Sequence, residues 1–189
     1  MVENVYERAE IAKICDSVYV IWPKDAPDRA ESDLIGRHLD MAKKFNANII
    51  VRVPSDNPCI EPGEIDRLTF EFLYHHPTEY LWSNTHNINR NGYPDGIGCE
   101  IYAIELLEWM DETLKKPEYR EHLHKYFYDK NRVKTIRCPN QFAKPDLRLD
   151  VNTYEDYLFI KDIYDNLKMG NKFHISNVIK YLDGKYVTK

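Results

Sequence analysis

Apolar positions along the chain change period several times, and each change marks an element. Residues 2–14 place Val5, Ala9 and Ala12 near helical spacing, with Ile11 and Ile14 alongside, so a first helix is expected. "SVYVIW" (17–22) is a short run of β-formers stopped by Pro23 and reads as a buried strand. Residues 32–45 return to helical spacing, with Leu34, Leu39, Met41 and Ala42 toward a core, and "NIIVRV" (48–53) is the next strand. A helix over 62–75 opens on Pro62, with Glu61, Glu64 and Asp66 near its positive end.

The second half continues the alternation. "EYLWSN" (79–84) predicts a strand, followed by a turn-rich loop, and "CEIYAI" (99–104) a further strand running into the helix of "ELLEWMDETLKK". "PEYREHLHKYFYD", from Pro117, predicts one helix, and "RVKTIR" and "LRLDV" two short strands. Thr153 and Asp156 have capping-box spacing at the start of the next helix, and a last helix spans 174–183. Strands alternating with helices imply βαβ units. The expected class is therefore α/β, a mostly parallel sheet covered on both faces, in a single domain over 1–189.

Composition narrows the function more than the fold. A chain of 189 residues can bury roughly 70% of its unfolded surface. The net charge of −5 argues against a nucleic-acid polymer as partner, but leaves a single nucleotide open. No apolar run approaches a membrane span, and the N-terminal segment is charged from its third residue without a signal-peptide core, so a cytoplasmic protein is expected. Cys15, Cys59, Cys99 and Cys138 form no CxxC pair and read as reduced, packed thiols.

Ligands of open α/β sheets bind beyond the carboxyl ends of the strands. Asp56 follows "NIIVRV" and Asp150 closes "LRLD", so two carboxylates stand at strand ends where they could share one magnesium. Both positions also suit ordinary turn and capping residues, and on spacing alone that reading comes first. The loop "NRNGYPDGIG" has three glycines but neither GxGxxG nor GxxxxGK, so a wide turn accounts for it. Glu100 interrupts an apolar strand: it needs a partner if buried and none if it faces solvent. In "YREHLHKYF", Arg120 and Glu121 each share a helix face with His124 while His122 points elsewhere, and EHLH is not the HExxH of zinc hydrolases. The His75–His76 pair sits at a helix end and reads as structural.

Taken in order, "ENVYERA", "ESDLIGRH", "VRVPSDNPCIEPGEID", "YPDGIGCEIY", "YREHLHKYF" and "LRLDVNTYEDYLFIKDIY" resemble the cytidylyltransferases of surface-polysaccharide synthesis. The similarity is to the spore-coat polysaccharide type, related to the CMP-KDO and CMP-sialate synthetases. The resemblance implies a nucleotide-diphospho-sugar transferase fold, a Rossmann-like three-layer sandwich. It implies transfer of CMP from CTP to a sugar or sugar acid, with release of pyrophosphate. Carried over, Asp56 and Asp150 would be the catalytic pair holding Mg2+ on the triphosphate. Arg52, Ser55 and Asn57 would shape the nucleotide side, and Glu100, Arg120, Glu121 and His122 would face the sugar. A homodimer is also implied.

The departures are specific. The family opens with a strand and a glycine- and arginine-bearing triphosphate loop, whereas this sequence begins at the following helix, so an N-terminally incomplete version of the fold is expected. Asn57 stands where the family has cysteine, and Leu123 and His124 where it has valine and threonine. They keep a second reading open: a non-catalytic relic, or a subunit that binds nucleotide or sugar or pairs with another chain.

Overall fold

The computed structural model describes residues 1–75, 79–86 and 88–187. His76 of the histidine pair lies outside the described residues. Eight α-helices and four strands are described: α1 Val2–Ala9, α2 Leu34–Lys44, β1 Ile49–Arg52, α3 Pro62–His75, β2 Leu81–Ser83, β3 Glu100–Ala103, α4 Ile104–Thr113, α5 Pro117–Glu121, α6 Lys125–Asp129, β4 Val133–Lys134, α7 Tyr154–Leu167 and α8 Ile175–Val187. The strands form one sheet in the order β1-β3-β2-β4.

Helices cover both faces of that sheet, as an α/β sandwich requires. Successive β3 side chains point opposite ways. Ile101 and Ala103 join Trp82 and the α3 residues Ile65, Leu68 and Phe72 on one face. Tyr102 joins Leu81, Leu39 of α2 and Leu107 and Met110 of α4 on the other. A third cluster packs α7 and α8 against Tyr93, Ile97 and Leu149. Buried Arg8 of α1 ties these layers, donating to the carbonyls of Ile60 at 2.8 Å and Phe173 at 3.0 Å.

The sandwich is as expected, but the strand directions are not. β3 pairs antiparallel with both β1 and β2, and only β2–β4 is parallel, so the sheet is mixed rather than mostly parallel. Parallel neighbours need a long crossover, usually a helix. Between β2 and β3 the described residues form a loop with one short 3-10 turn, Ile88–Arg90, and no crossover α-helix, and β3 returns antiparallel.

Three other elements differ. Residues 17–22 form no strand among the described residues. An extended segment is held by a ladder partner, and here the Ile21 carbonyl is taken instead by the Arg37 guanidinium at 3.3 Å, while Tyr19 stacks on Phe45 at 3.7 Å. "LRLDV" makes only an isolated parallel bridge, Arg148 to Asp95. The helix expected from Pro117 breaks at His122 (φ −116°, ψ 89°), which buries Leu123 in the same cluster as Phe127.

Candidate active site

Three loops meet beyond the end of β1. The first is the turn after that strand, closed by the Asn57 amide on the Pro54 carbonyl at 3.2 Å. Pro54 fixes its own φ and leaves Ser55 at the exposed tip, with Asp56 behind it. The second is the loop around Asp95, the third the segment entering α7. Asp95 exchanges backbone hydrogen bonds with the third, its amide to Leu147 at 2.9 Å and its carbonyl from Leu149 at 3.1 Å. The Val151 amide then reaches the Asp56 carbonyl at 2.9 Å.

Gly96 permits this closeness. It has φ +84°, and a Cβ there would stand 2.5 Å from the Asp150 backbone nitrogen. Only glycine satisfies both constraints.

The stitching sets Asp56, Asp95 and Asp150 in one acidic row. Burial, with the charges of Asp150 and Asp95, raises the Asp56 carboxyl above its ordinary value, against the pull of Arg52. Its Oδ1 is buried and has no hydrogen-bond partner among the described residues. Asp150 is occupied: Arg148 donates to both its oxygens at 3.2 and 2.7 Å, and Asn152 adds a further bond. Arg148 is itself well exposed, with Nε 3.9 Å from Asp95. His86 closes the row, its Nδ1 3.0 Å from Asp95 Oδ1.

A second polar group lies on β1 and β3. Arg52 and Glu100 are register partners across the sheet, and Arg52 Nη1 donates to Glu100 Oε2 at 2.8 Å. Tyr102, two residues along on the same face, donates to that oxygen at 2.9 Å. His124 Nδ1 stands 3.0 Å from Oε1 but off the hydrogen-bond line, a contact by distance rather than an aligned bond. Burial alone would raise the Glu100 carboxyl; Arg52 and His124 outweigh it and bring it down to about 2. Glu100 is 2% exposed, so the buried reading holds.

The other expected residues fall outside these groups. Glu121 and His122 are exposed on and just after α5. Arg120 is consumed by a structural clamp, bonded to Asp33 at 2.9 Å, to the Asp111 carboxylate, and to the Leu114 carbonyl at 3.0 Å. It fastens α5 to the start of α2 and the end of α4, and carries no free donor toward Glu100. Sequence reasoning missed His86, Asp95, Arg148 and the role of His124. Asp95 was in view within "YPDGIG", but its pairing with Arg148 spans the sequence and has no local signature.

Comparison with known proteins turns on the whole fold. A solved cytidylyltransferase from Leptospira borgpetersenii serovar Hardjo-bovis superposes with a TM-score of 0.80 at 24% identity, covering 98% of this chain and 84% of that one. The fold is that of the cytidylyltransferases. A CMP:2-keto-3-deoxy-manno-octonic acid synthetase complexed with CTP shares the cytidylyltransferase fold more distantly, with a TM-score of 0.56, 13% identity and 88% of this chain covered, 87% of that one. In sequence the chain is similar to the spore coat polysaccharide biosynthesis protein SpsF of Bacillus subtilis, 26% identical over 151 residues. It is also similar to an uncharacterized protein, MJ1063, of Methanocaldococcus jannaschii, 24% identical over 176 residues. The matched part spans 59% of SpsF and 67% of MJ1063. No family model matches. No helix among the described residues is long and apolar enough to cross a membrane.

Proposed function

We propose that the protein is a cytidylyltransferase that moves CMP from CTP to a sugar or sugar acid in surface-glycan synthesis, releasing pyrophosphate. The observation that carries this is the buried Asp56 oxygen without a partner, set in a row of carboxylates where three loops converge on a cytidylyltransferase fold. Hard oxygen donors suit magnesium, which takes one or two protein carboxylates and completes its shell with phosphates and water. Among the described residues no three His, Cys, Asp or Glu side chains form a ready-made metal cage.

Asp56 and Asp150 are the residues to hold that magnesium, which when bound would neutralise triphosphate charge. Exposed Arg148 now screens Asp150 and must release it. Arg52, held by Glu100, and the Ser55–Asn57 turn line the nucleotide side. Glu100 acts on the sugar side beside His124, with exposed Glu121 and His122 beyond. Arg120 serves by holding α5. Four free thiols fit a cytoplasmic setting, and two copies of the chain form the working unit in this reading.

Pyrophosphate release from CTP, measured over a panel of sugar acids and sugar phosphates with magnesium or EDTA, tests the proposal. Release that stops with EDTA, and falls at least about 100-fold in Asp56→Asn, is expected. A folded protein with no release under any condition rejects it. The saturation of Asp150 by Arg148 and Asn152 favours a second reading, a non-catalytic nucleotide- or sugar-binding subunit. CTP binding that is indifferent to magnesium and to Asp56→Asn would support that one.

A further inference from the structure

The acidic row ends in a histidine that the magnesium chemistry does not use. His86 and Asp95 come from opposite ends of the loop between β2 and β3, and His86 Nδ1 stands 3.0 Å from Asp95 Oδ1, an ion-pair contact by distance that sets the inner nitrogen against the carboxylate. The outer nitrogen, Nε2, has no hydrogen-bond partner among the described residues, and the side chain is 37% exposed. Asp95 is in turn anchored through its backbone to Leu147 and Leu149, so the ring is oriented by the same stitching that assembles Asp56 and Asp150. A carboxylate beside one ring nitrogen, with the other free on a partly exposed ring, is an arrangement that suits a general base.

The other described histidines near the site lie outside the acidic row. His38 gives Nδ1 to the Leu34 carbonyl at 2.7 Å, His124 is placed against Glu100, and His122 is exposed beyond it. Nucleotidyl transfer to a hydroxyl must dispose of one proton, and the row supplies one imidazole with a free nitrogen to take it.

We infer that His86, positioned by Asp95, is the general base that takes the proton from the attacking hydroxyl of the acceptor. This rests on the nucleotidyl-transfer reading above. As the acceptor oxygen bonds to the α-phosphorus, the bond from that phosphorus to the bridging oxygen breaks and its electron pair leaves with pyrophosphate. The hydroxyl proton passes to His86 Nε2, the imidazolium is neutralised by Asp95, and the proton is then lost to water. The groups that bear on the imidazole are Asp95, Asp150 and Arg148. The neighbouring Asp95 carboxylate raises its pKa above the ordinary value against the effect of burial, Asp150 adds to the rise, and Arg148 opposes it.

The experiment compares wild type, His86→Gln, Asp95→Asn and His86→Ala. It follows pyrophosphate release from CTP with the acceptor panel across pH, alongside CTP calorimetry and thermal melting. His86→Gln should keep its melting temperature and bind CTP within about twofold of wild type, while kcat falls roughly 10²–10⁴-fold. The wild-type rate should climb with pH as His86 loses its proton. That limb should flatten in His86→Gln and move to lower pH in Asp95→Asn, and added imidazole should restore rate to His86→Ala.

An active wild type whose His86→Gln form keeps kcat within about threefold, or loses rate only through weaker CTP binding, overturns the inference and leaves the cytidylyltransferase reading standing. A wild type that binds CTP yet releases no pyrophosphate with any acceptor overturns both.

Discussion

Glu100 shows at single-residue scale how a charge survives in a sheet. Its neighbours more than offset burial, so the folded pKa of about 2 lies below the ordinary 4.5. A depressed carboxylate stabilises the fold above its unfolded value and loses that contribution as pH falls through 4.5 toward 2. His38, beside Arg52 and Glu100, is lowered by burial and by Arg52 from 6.5 to about 4. Between those values the unfolded chain binds a proton that the folded one does not, so stability again falls as pH drops from 6.5 toward 4. Urea midpoints at several pH values should therefore decline in two windows. His38→Gln should remove the upper decline. Glu100→Gln should remove the lower one and cost on the order of 3 kcal/mol at neutral pH, because Arg52 loses its buried counter-charge. An unchanged pH dependence in both variants would contradict this account. The sequence left Glu100 open between a buried carboxylate with a partner and an exposed one, and that Arg52 supplies the partner depends on the β1–β3 register, which local pattern does not encode.

At the scale of elements, the site depends on loops more than on strands. Asp56, Asp95 and Asp150 are held by backbone bonds between loop segments, and Gly96 makes the approach possible. Gly96→Ala would place a methyl carbon 2.5 Å from the Asp150 amide nitrogen at φ +84°. Melting should drop, by about 1–3 kcal/mol in unfolding free energy, and magnesium-dependent CTP binding should weaken with it. Wild-type binding with wild-type melting would show that the two loops part without consequence. Helices behave more locally. The Thr153–Asp156 capping box forms as its spacing says, the Asp156 amide reaching Thr153 Oγ1 at 3.2 Å, and Thr153→Ala should cost about 1 kcal/mol by urea unfolding. The helix from Pro117 was the exception. Its periodicity supported one helix, but burying Leu123 required a break that also turns His124 toward Glu100.

Across the whole molecule, β3 is the hub, paired on both sides and covered on both faces. Hydrogen exchange should find its amides among the slowest, with residues 17–22, which lack a ladder, among the fastest. Slow exchange over 17–22 would mean that this segment pairs in solution after all. Residues 17–22 illustrate that a strand-forming sequence becomes a strand only where a neighbour receives its backbone groups.

That distinction separates what could be read from the chain from what could not. Apolar periodicity determined where α2, α3, β1, β3 and α7 lie and that helices cover a sheet, because burying a stripe or a face is decided within a few residues. The ordered motifs carried the cytidylyltransferase fold and the prominence of Asp56. Strand direction, the fate of 17–22, the partners of Glu100, the diversion of Arg120 into a clamp and the His86–Asp95 contact were decided only in three dimensions. Each depends on which distant backbone or charge arrives beside a residue, and the same local pattern is compatible with several such arrivals.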